Sequence, residues 1–498
     1  WEGLGADGLS SSAYGPEEAF LALGDHTQLG LYLAVATAIT IFVISFAYNQ
    51  VIELFPSGGG GYKVATQLIG PRAGLVSGSA LIVDYVLTIA ISVASGADAL
   101  FSLFPADAQG FKLATEFGLV LLLLVLNLRG MKESILVLLP IFLGFILSHV
   151  LLIVYGIYAH ADGLPALIPN TVAETSQLSQ QMGWVFVASL FLRAYSLGGG
   201  TYTGIEAVSN NVNRLAEPRV STGKWAMFYM ALSLAFTAGG IILLYLLWAA
   251  KPVQGMTLNA VTFQAIIDSF NLHDPFIEQA GLWLVLATEA GLLLVAANTG
   301  FLGGPSVLSN MAVDSWVPRQ FRQLSSRLVT QNGVFVMGIS ALVILLWTRG
   351  RVSILVVLYS INVFLTFSLS LLGLCIYWWR NRLGHRDWGR RLALSATGLA
   401  VSGGILAVTV VEKFTEGGWL TVVITSAVIA LCFLIRHHYD EVRKQLRKID
   451  DLFASKPEWD GTLTAPRLDP SLPAAVFLVG QNRGVGMHAL LWVQRLFP

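Results

Sequence analysis

Asp84, Thr88 and Ser92 recur every four residues in the run Asp84-Tyr-Val-Leu-Thr-Ile-Ala-Ile-Ser92. On a helix that spacing sets a carboxylate and two hydroxyls on one face. Such an oxygen-rich stripe can coordinate a hard monovalent cation. Taken singly, each hydroxyl could equally bond the carbonyl one turn before it. Other ionisable side chains also interrupt apolar stretches: Asp7, Glu17, Glu18, Arg193, Glu206 and Glu289. A charge held in hydrocarbon is costly and marks a pathway, a coupling site or an ion pair. Arg193 and Glu289 read as structural ion-pair candidates, with Glu289 the expected partner of Arg193. Asp98 and Glu53 fall near the ends of their apolar runs and are expected to face water or loops. A buried carboxylate beside a cation site can also carry a coupled proton; Glu206 and Asp84 are the candidates.

Two further segments supply backbone oxygen. Gly5-Ala-Asp-Gly-Leu-Ser-Ser-Ser-Ala-Tyr-Gly-Pro-Glu-Glu-Ala19 and Tyr195-Ser-Leu-Gly-Gly-Gly-Thr-Tyr-Thr-Gly-Ile-Glu-Ala207 both carry helix-breaking residues inside a candidate membrane crossing. At an offset of 188 residues, Tyr14 meets Tyr202, Glu18 meets Glu206 and Ala19 meets Ala207. Interrupted helices at corresponding places in two halves point to a transporter's central site. The glycines alone would also serve tight helix packing. Repetition in register favours the functional reading, and brings Thr203, Asp7, Ser10–Ser12 and Tyr14 beside the breaks.

The elements that must position these residues follow from composition. The chain has 498 residues, 55% of them hydrophobic and only 12% charged, with mean hydropathy +0.68. An ordinary soluble protein carries about 25% charged residues, so a polytopic membrane protein is expected. Formal net charge is zero and gives no sign of nucleic-acid binding. Cys375 and Cys432 lie in apolar runs and argue against a disulfide framework. Twelve spans are expected, near 5–24, 28–54, 72–104, 113–128, 133–159, 183–212, 222–250, 276–310, 331–348, 352–379, 392–411 and 418–436. With both ends cytoplasmic, fifteen Lys and Arg fall in inside loops, from Lys63 to Arg391, and five in outside loops. The 160–182 loop has none. That asymmetry is the positive-inside pattern. The odd five-helix offset between the breaks implies an inverted repeat, with spans 11 and 12 outside it.

The domains expected are a transporter body at 1–436, a basic helix and linker at 437–473, and from 474 the beginning of a cytoplasmic α/β domain. There Ala474–Gly480 reads as a strand and Met487–Leu496 as a helix. The chain opens at Trp1 and ends at Pro498, which reads as trimmed, and no cleavable signal peptide is visible. The glycine run Pro56-Ser-Gly-Gly-Gly-Gly-Tyr62 lacks a following Lys-Ser/Thr and reads as a flexible turn. His437-His438 have no companion ligands for a metal. No catalytic triad, metal cluster or phosphate loop is present, so an enzyme or an ATP-driven pump is disfavoured, and no cofactor is implied.

These motifs together resemble a known family. The carrying segments are Asp7-Gly-Leu-Ser-Ser-Ser-Ala-Tyr14, Pro56-Ser-Gly-Gly-Gly-Gly-Tyr62, Val83-Asp-Tyr-Val-Leu-Thr-Ile-Ala-Ile-Ser92, Leu126-Asn-Leu-Arg-Gly130, Thr203-Gly-Ile-Glu-Ala-Val-Ser-Asn210, Val317-Pro-Arg-Gln-Phe321 and Lys413-Phe-Thr-Glu-Gly-Gly-Trp419. Across nearly the whole membrane portion the chain resembles the KUP/HAK/KT potassium-uptake family, especially its KimA-like bacterial branch, within the amino acid–polyamine–organocation superfamily. The resemblance implies an all-α membrane protein of LeuT type, ten helices in two inverted repeats plus two. It implies proton-coupled potassium symport across the cell membrane. Carried over residue by residue, the potassium and coupling positions fall on Asp7, Tyr14, Asp84, Tyr85, Thr88, Ser92, Thr203, Glu206 and Tyr359. Tyr359 rests on the resemblance alone; its surroundings would otherwise mark it as core. The resemblance also implies a cytoplasmic universal-stress-like domain from 474 that helps form a homodimer. Two features depart from the family pattern: the Gly-Gly-Gly before Thr201 is richer than expected, and Asn362 closely follows Tyr359.

The alternatives are a proton-coupled amino acid or amine permease of the same superfamily and a membrane nutrient sensor. Against the permease, Ser10-Ser-Ser-Ala-Tyr14 lacks the glycines that would free backbone N–H groups for a substrate carboxylate. Three carboxylates around one cavity would also repel it. A sensor would bind ligand without flux.

Overall fold

The computed structural model describes residues 2–130, 135–271 and 274–454, with scattered positions between 486 and 496. The strand expected at 474–480 lies outside the described residues. Among those that are described, every regular element is helical.

The chain begins with α1 (Glu2–Ser10), a 3₁₀ turn (Ser11–Ala13) and α2 (Gly15–Leu21). Pro16 stands in the first turn of α2, where its missing N–H is not needed and its fixed φ suits a helix start. Then follow α3 (Gly30–Leu54), α4 (Gly60–Val64), α5 (Pro71–Phe101), α6 (Lys112–Leu128), α7 (Ile135–Ala159) and α8 (Leu164–Met182). Next come α9 (Trp184–Leu197), a 3₁₀ turn (Gly198–Tyr202), α10 (Ile205–Asn210), α11 (Arg219–Leu247) and α12 (Leu258–Asp268). The remainder is α13 (Pro275–Val313), α14 (Gln331–Thr348), α15 (Val352–Arg380), α16 (Trp388–Lys413) and α17 (Trp419–Ala454).

Among the described residues, nine helical stretches are long and apolar enough to cross a membrane. The last of them, Trp388–Lys448, joins α16 and α17 across a break at Gly417, whose φ is +116°. The interrupted α1–α2 and α9–α10 are not among the nine. An interrupted helix is one that a length criterion misses.

Helix α5 sits at the centre. Its 25 buried residues are spread around the whole helix, as expected of a helix enclosed by others. It packs on α13 and α15, while α3 packs on α11 and α15 on α16. Helix α1 lies in the angle between α13 and α11. The stripe from Asp84 to Ser92 therefore has no exposure to lipid.

One loop expected from the sequence is ordered helix instead. Most of the 160–182 loop is α8, whose Thr171 and Thr175 hydroxyls bond carbonyls one turn back, at 2.8 and 2.6 Å. Its weakly apolar sequence hides it from a hydropathy reading. The glycine run is a turn, as expected, and leads into α4: Gly58, Gly59 and Gly60 have φ of +71°, +100° and +44°, and the Gly59 N–H donates to Asn210 O at 3.1 Å. A Cβ at Gly60 would collide with the Asn210 side chain, so glycine is required for the close approach.

Candidate functional site

The first break is closed by its own serines. Ser10, Ser11 and Ser12 donate to the carbonyls of Asp7, Gly8 and Leu9 at 2.8, 2.6 and 2.7 Å. A helix that stops inside a protein leaves carbonyls without amide partners, and the hydroxyls take that role. Ser11 Oγ also reaches Thr201 O, 2.8 Å away in the second break. The two interruptions are thus in direct contact.

The second break is built from glycine. Gly204 has φ +78°, and a Cβ there would stand 2.9 Å from Asp7 O. Cβ atoms at Gly198, Gly199 and Gly200 would stand 2.8–2.9 Å from Ala19, Phe364 and the Tyr14 ring. The run that departs from the family pattern therefore seats α2 and Tyr14 on the 3₁₀ turn. Tyr14 and Tyr202, aligned by the sequence offset, stand at the ends of the two 3₁₀ turns.

A chain of hydroxyls runs across the breaks. Tyr14 OH and Thr203 Oγ1 are 3.2 Å apart, and Thr203 Oγ1 donates to Gly200 O at 2.7 Å. Thr88 Oγ1 lies 3.0 Å from Tyr359 OH and also donates to Asp84 O at 2.9 Å. The local bond and the long-range one coexist at Thr88. The Thr203 hydroxyl also interacts with Tyr359, so α2, α5, α15 and the second break converge. Around them Asp7, Asp84 and Glu206 are 6%, 3% and 6% exposed and near enough to interact electrostatically. Asp7 meets the Thr299 hydroxyl. Asp84 Oδ1 and Glu206 Oε2 have no hydrogen-bond partner among the described residues. Buried carboxylate oxygens are expensive to leave unpaired. This arrangement can coordinate a desolvated cation or hold a proton.

Not every expected residue joins the cluster. The Tyr85 hydroxyl accepts from Asn210 Nδ2 at 2.8 Å, which ties α5 to α10. Ser92 is buried on the stripe, and no hydrogen bond joins it to the hydroxyl chain. Arg193 does not pair with Glu289. It pairs with Glu416 at 2.9 Å, with both side chains substantially exposed. Glu289 is buried and faces His149 at 3.6 Å. Asp98 pairs with Lys112, and Glu53 with Lys224 and Arg391. Thr299 and Asn210 were not evident from the sequence. Thr299 adjoins Asn298 in α13, a polar pair that is the local signal for it.

A cavity of about 250 Å³ opens onto Tyr14, lined among others by Glu17, Glu18, Ser95, Asp98 and Lys112. It gives water and small ions an approach to the hydroxyl chain from one side.

The chain is similar to known transporters. It is 30% identical over 452 residues to the potassium transporter KimA of Bacillus subtilis (strain 168), covering 90% of this chain and 71% of that one. Two solved structures of the Eremococcus coleocola manganese transporter each align with a TM-score of 0.48 and 14% identity, over 89% of this chain and 94% of theirs. One is a complex with an aromatic bis-isothiourea compound and the other a mutant. The amino acid permease family model matches residues 13–435, from the first break through α16 and half of α17. With the match running through both breaks and every long helix between them, the chain belongs to the amino acid permease family.

Proposed function

We propose that this multi-pass membrane protein is a potassium importer that couples potassium entry to protons by alternating access. The observation that carries the reading is the set of buried carboxylates at the meeting of two broken helices, with Asp84 Oδ1 and Glu206 Oε2 unpartnered among the described residues. A monovalent cation supplies the missing charge. The similarity to the potassium transporter KimA supports the same substrate.

In this reading potassium binds between the first break, α5, α10 and α15. Its charge is met by Asp84, Glu206 and Asp7, and its lost water by the oxygens of Tyr14, Thr88, Thr203 and Tyr359. Ser92 and Tyr85 line the path to either side. Glu206 or Asp84 carries the coupled proton. The two breaks head inverted five-helix repeats, α16 and α17 lie outside them, and counting the broken helices and the paired last stretch gives twelve spans. Both termini are cytoplasmic, and residues from 474 begin an α/β domain through which a homodimer forms. The α1–α2 and α9–α10 pair then rocks against α5 and α13 to change the open side. No organic cofactor takes part.

The amino-acid alternative is favoured by the family's description. The first break argues against it. The Tyr14 N–H closes the 3₁₀ turn on Ser11 O, and three carboxylates surround the junction.

Radiolabelled Rb⁺ uptake into proteoliposomes, with and without an inward proton gradient, tests the proposal. Gradient-driven uptake blocked by K⁺ and not by an amino-acid mixture is expected. Absence of Rb⁺ flux, with labelled amino acids entering the same vesicles, overturns it.

A further inference from the structure

Glu289 belongs to a second polar cluster, separate from the cation site. Helices α7, α11, α12 and α13 each send one polar side chain to a point with almost no solvent: His149, Tyr245, Asn259 and Glu289 are at most 1% exposed. The Tyr245 hydroxyl donates to Asn259 Oδ1. That fixes the amide so that Nδ2 faces away, and it donates to Glu289 Oε1 at 3.1 Å and to Ala13 O at 3.4 Å. Ala13 immediately precedes Tyr14 and ends the 3₁₀ turn of the first break. The far end of the cluster is His149. Its ring stacks on Phe145 at 3.8 Å and meets Phe263 edge-on at 5.1 Å, so it is held in one orientation. Its Nδ1 lies 3.0 Å from Phe145 O and 3.2 Å from Ser148 Oγ.

The remaining atoms, His149 Nε2 and Glu289 Oε2, face each other at 3.6 Å and have no other partner among the described residues. Bare lone pairs opposed in so dry a place would repel. One proton stands between them, whichever atom carries it. The other titratable groups that act on the pair are Glu17 of α2 and Tyr245 of α11. Helix α12 carries one charge, Asp268 at its C-terminal end, and α14, also packed on α13, has no charged residue. Helix α1 sends Asp7 to Thr299, further along α13. Of the charges of α5 and α6, Asp98 and Glu116 face Lys112, Asp84 lies with Asp7 and Glu206, and Arg72 stands in the first turn of α5.

The geometry points to His149 and Glu289 as a proton-holding dyad that positions the first break through Asn259. When Glu289 is a carboxylate, it orients the amide that holds Ala13 O. A second proton on the dyad turns the carboxylate into a weaker acceptor and loosens that hold, which releases Tyr14 from its place over the cation site. These are positioning residues: none touches the substrate. The inference rests on the potassium reading for its transport readout, but the conformational readout below does not depend on it.

The test compares wild type with Glu289→Gln, His149→Gln and Asn259→Leu in proteoliposomes, following Rb⁺ uptake across neutral and mildly acidic pH. Glu289→Gln keeps an acceptor and a donor in the same volume, so it is the variant expected to fold. It should lower the maximal rate on the order of tenfold, as lost support for a binding group does, leave half-saturating Rb⁺ nearly unchanged, and flatten the pH profile. Hydrogen–deuterium exchange over residues 9–16, corrected for the intrinsic pH dependence of amide exchange, should rise with acid in wild type and be acid-insensitive in Glu289→Gln. A pH profile and exchange pattern identical to wild type in Glu289→Gln would overturn the dyad. A higher half-saturating Rb⁺ at unchanged maximal rate would also overturn it, by placing Glu289 in the cation site. If wild type carries no Rb⁺, the potassium reading fails, and the exchange experiment still decides the dyad.

Discussion

The two helix breaks occupy matching places in the sequence and meet in space, yet they are made by opposite chemistry. The first is a serine break: hydroxyls of Ser10, Ser11 and Ser12 replace the amide donors that the helix loses. It closes largely on itself. The second is a glycine break: Gly198, Gly199, Gly200 and Gly204 satisfy little on their own and instead allow Ala19, Phe364, Tyr14 and the Asp7 backbone to approach. Its shape depends on what is pressed against it. The serine break is accordingly one jaw of the site, set by its own hydrogen bonds, and the glycine break the other, set by its neighbours. Each jaw carries a carboxylate, Asp7 or Glu206, and a tyrosine that ends its 3₁₀ turn.

The contrast is broken most severely at Gly204. Its φ of +78° is one that residues with a side chain rarely adopt, and a Cβ would stand 2.7 Å from Asp7 C and 2.9 Å from Asp7 O. Backbone atoms cannot step aside as a flexible side chain can. Gly204→Ala is expected to abolish Rb⁺ uptake while the protein still inserts and purifies, since the strain, on the order of 1–3 kcal/mol, is local. Uptake at the wild-type rate would show that the close approach of the two breaks is not needed for transport.

The carboxylates come next. Glu206→Gln is expected to remove concentration of Rb⁺ driven by a proton gradient, leaving at most passive equilibration. Asp84→Asn should raise half-saturating Rb⁺ about tenfold, the equivalent of losing roughly 1.4 kcal/mol of binding. Gradient-driven accumulation by Glu206→Gln at the wild-type rate would exclude Glu206 as the proton carrier. Unchanged half-saturation in Asp84→Asn would move the cation away from α5.

How much of this was legible in the sequence follows the same division. The breaks were legible because glycine, serine and proline are conspicuous inside apolar runs, and the stripe on α5 because helical spacing is fixed by geometry. Partners were not. Arg193 finds Glu416 across 223 residues, and nothing local to either residue encodes that meeting. The proposed site role of Tyr359 could not be read from its neighbours because an aromatic ring in an apolar helix is the normal content of a core; its 3.0 Å approach to Thr88 and its interaction with the Thr203 hydroxyl distinguish it. Asn362, the other departure from the family pattern, turned out to face α17, where Thr425 donates to its Oδ1 at 3.0 Å. Helix α8 escaped because a polar, threonine-bearing surface helix has the composition of a loop.

Gly200→Ala tests the glycine jaw more gently. The new methyl would meet Tyr14 Cε2 at 2.9 Å, and a tyrosine ring can tilt by a few tenths of an ångström. Uptake should fall several-fold with half-saturating Rb⁺ raised, because the Tyr14 hydroxyl is displaced from Thr203. An unchanged half-saturation would mean that Tyr14 does not act on the cation from this position.

The smallest expected effect separates the two jaws most sharply. Ser11 bonds within its own break, to Gly8 O, and across to Thr201 O, whereas among the described residues Ser12 bonds only to Leu9 O. Removing either hydroxyl forfeits about 1 kcal/mol of local hydrogen bonding. If the serine break is a self-contained unit, Ser11→Ala and Ser12→Ala should lower thermal stability alike. Only Ser11→Ala severs the strut to the glycine break, so only it should change the rate of Rb⁺ uptake beyond what the stability loss explains. Equal transport defects in both variants would show that the strut carries nothing between the breaks, and that the glycine jaw is held in place by the packing of Tyr14 and Asp7 alone.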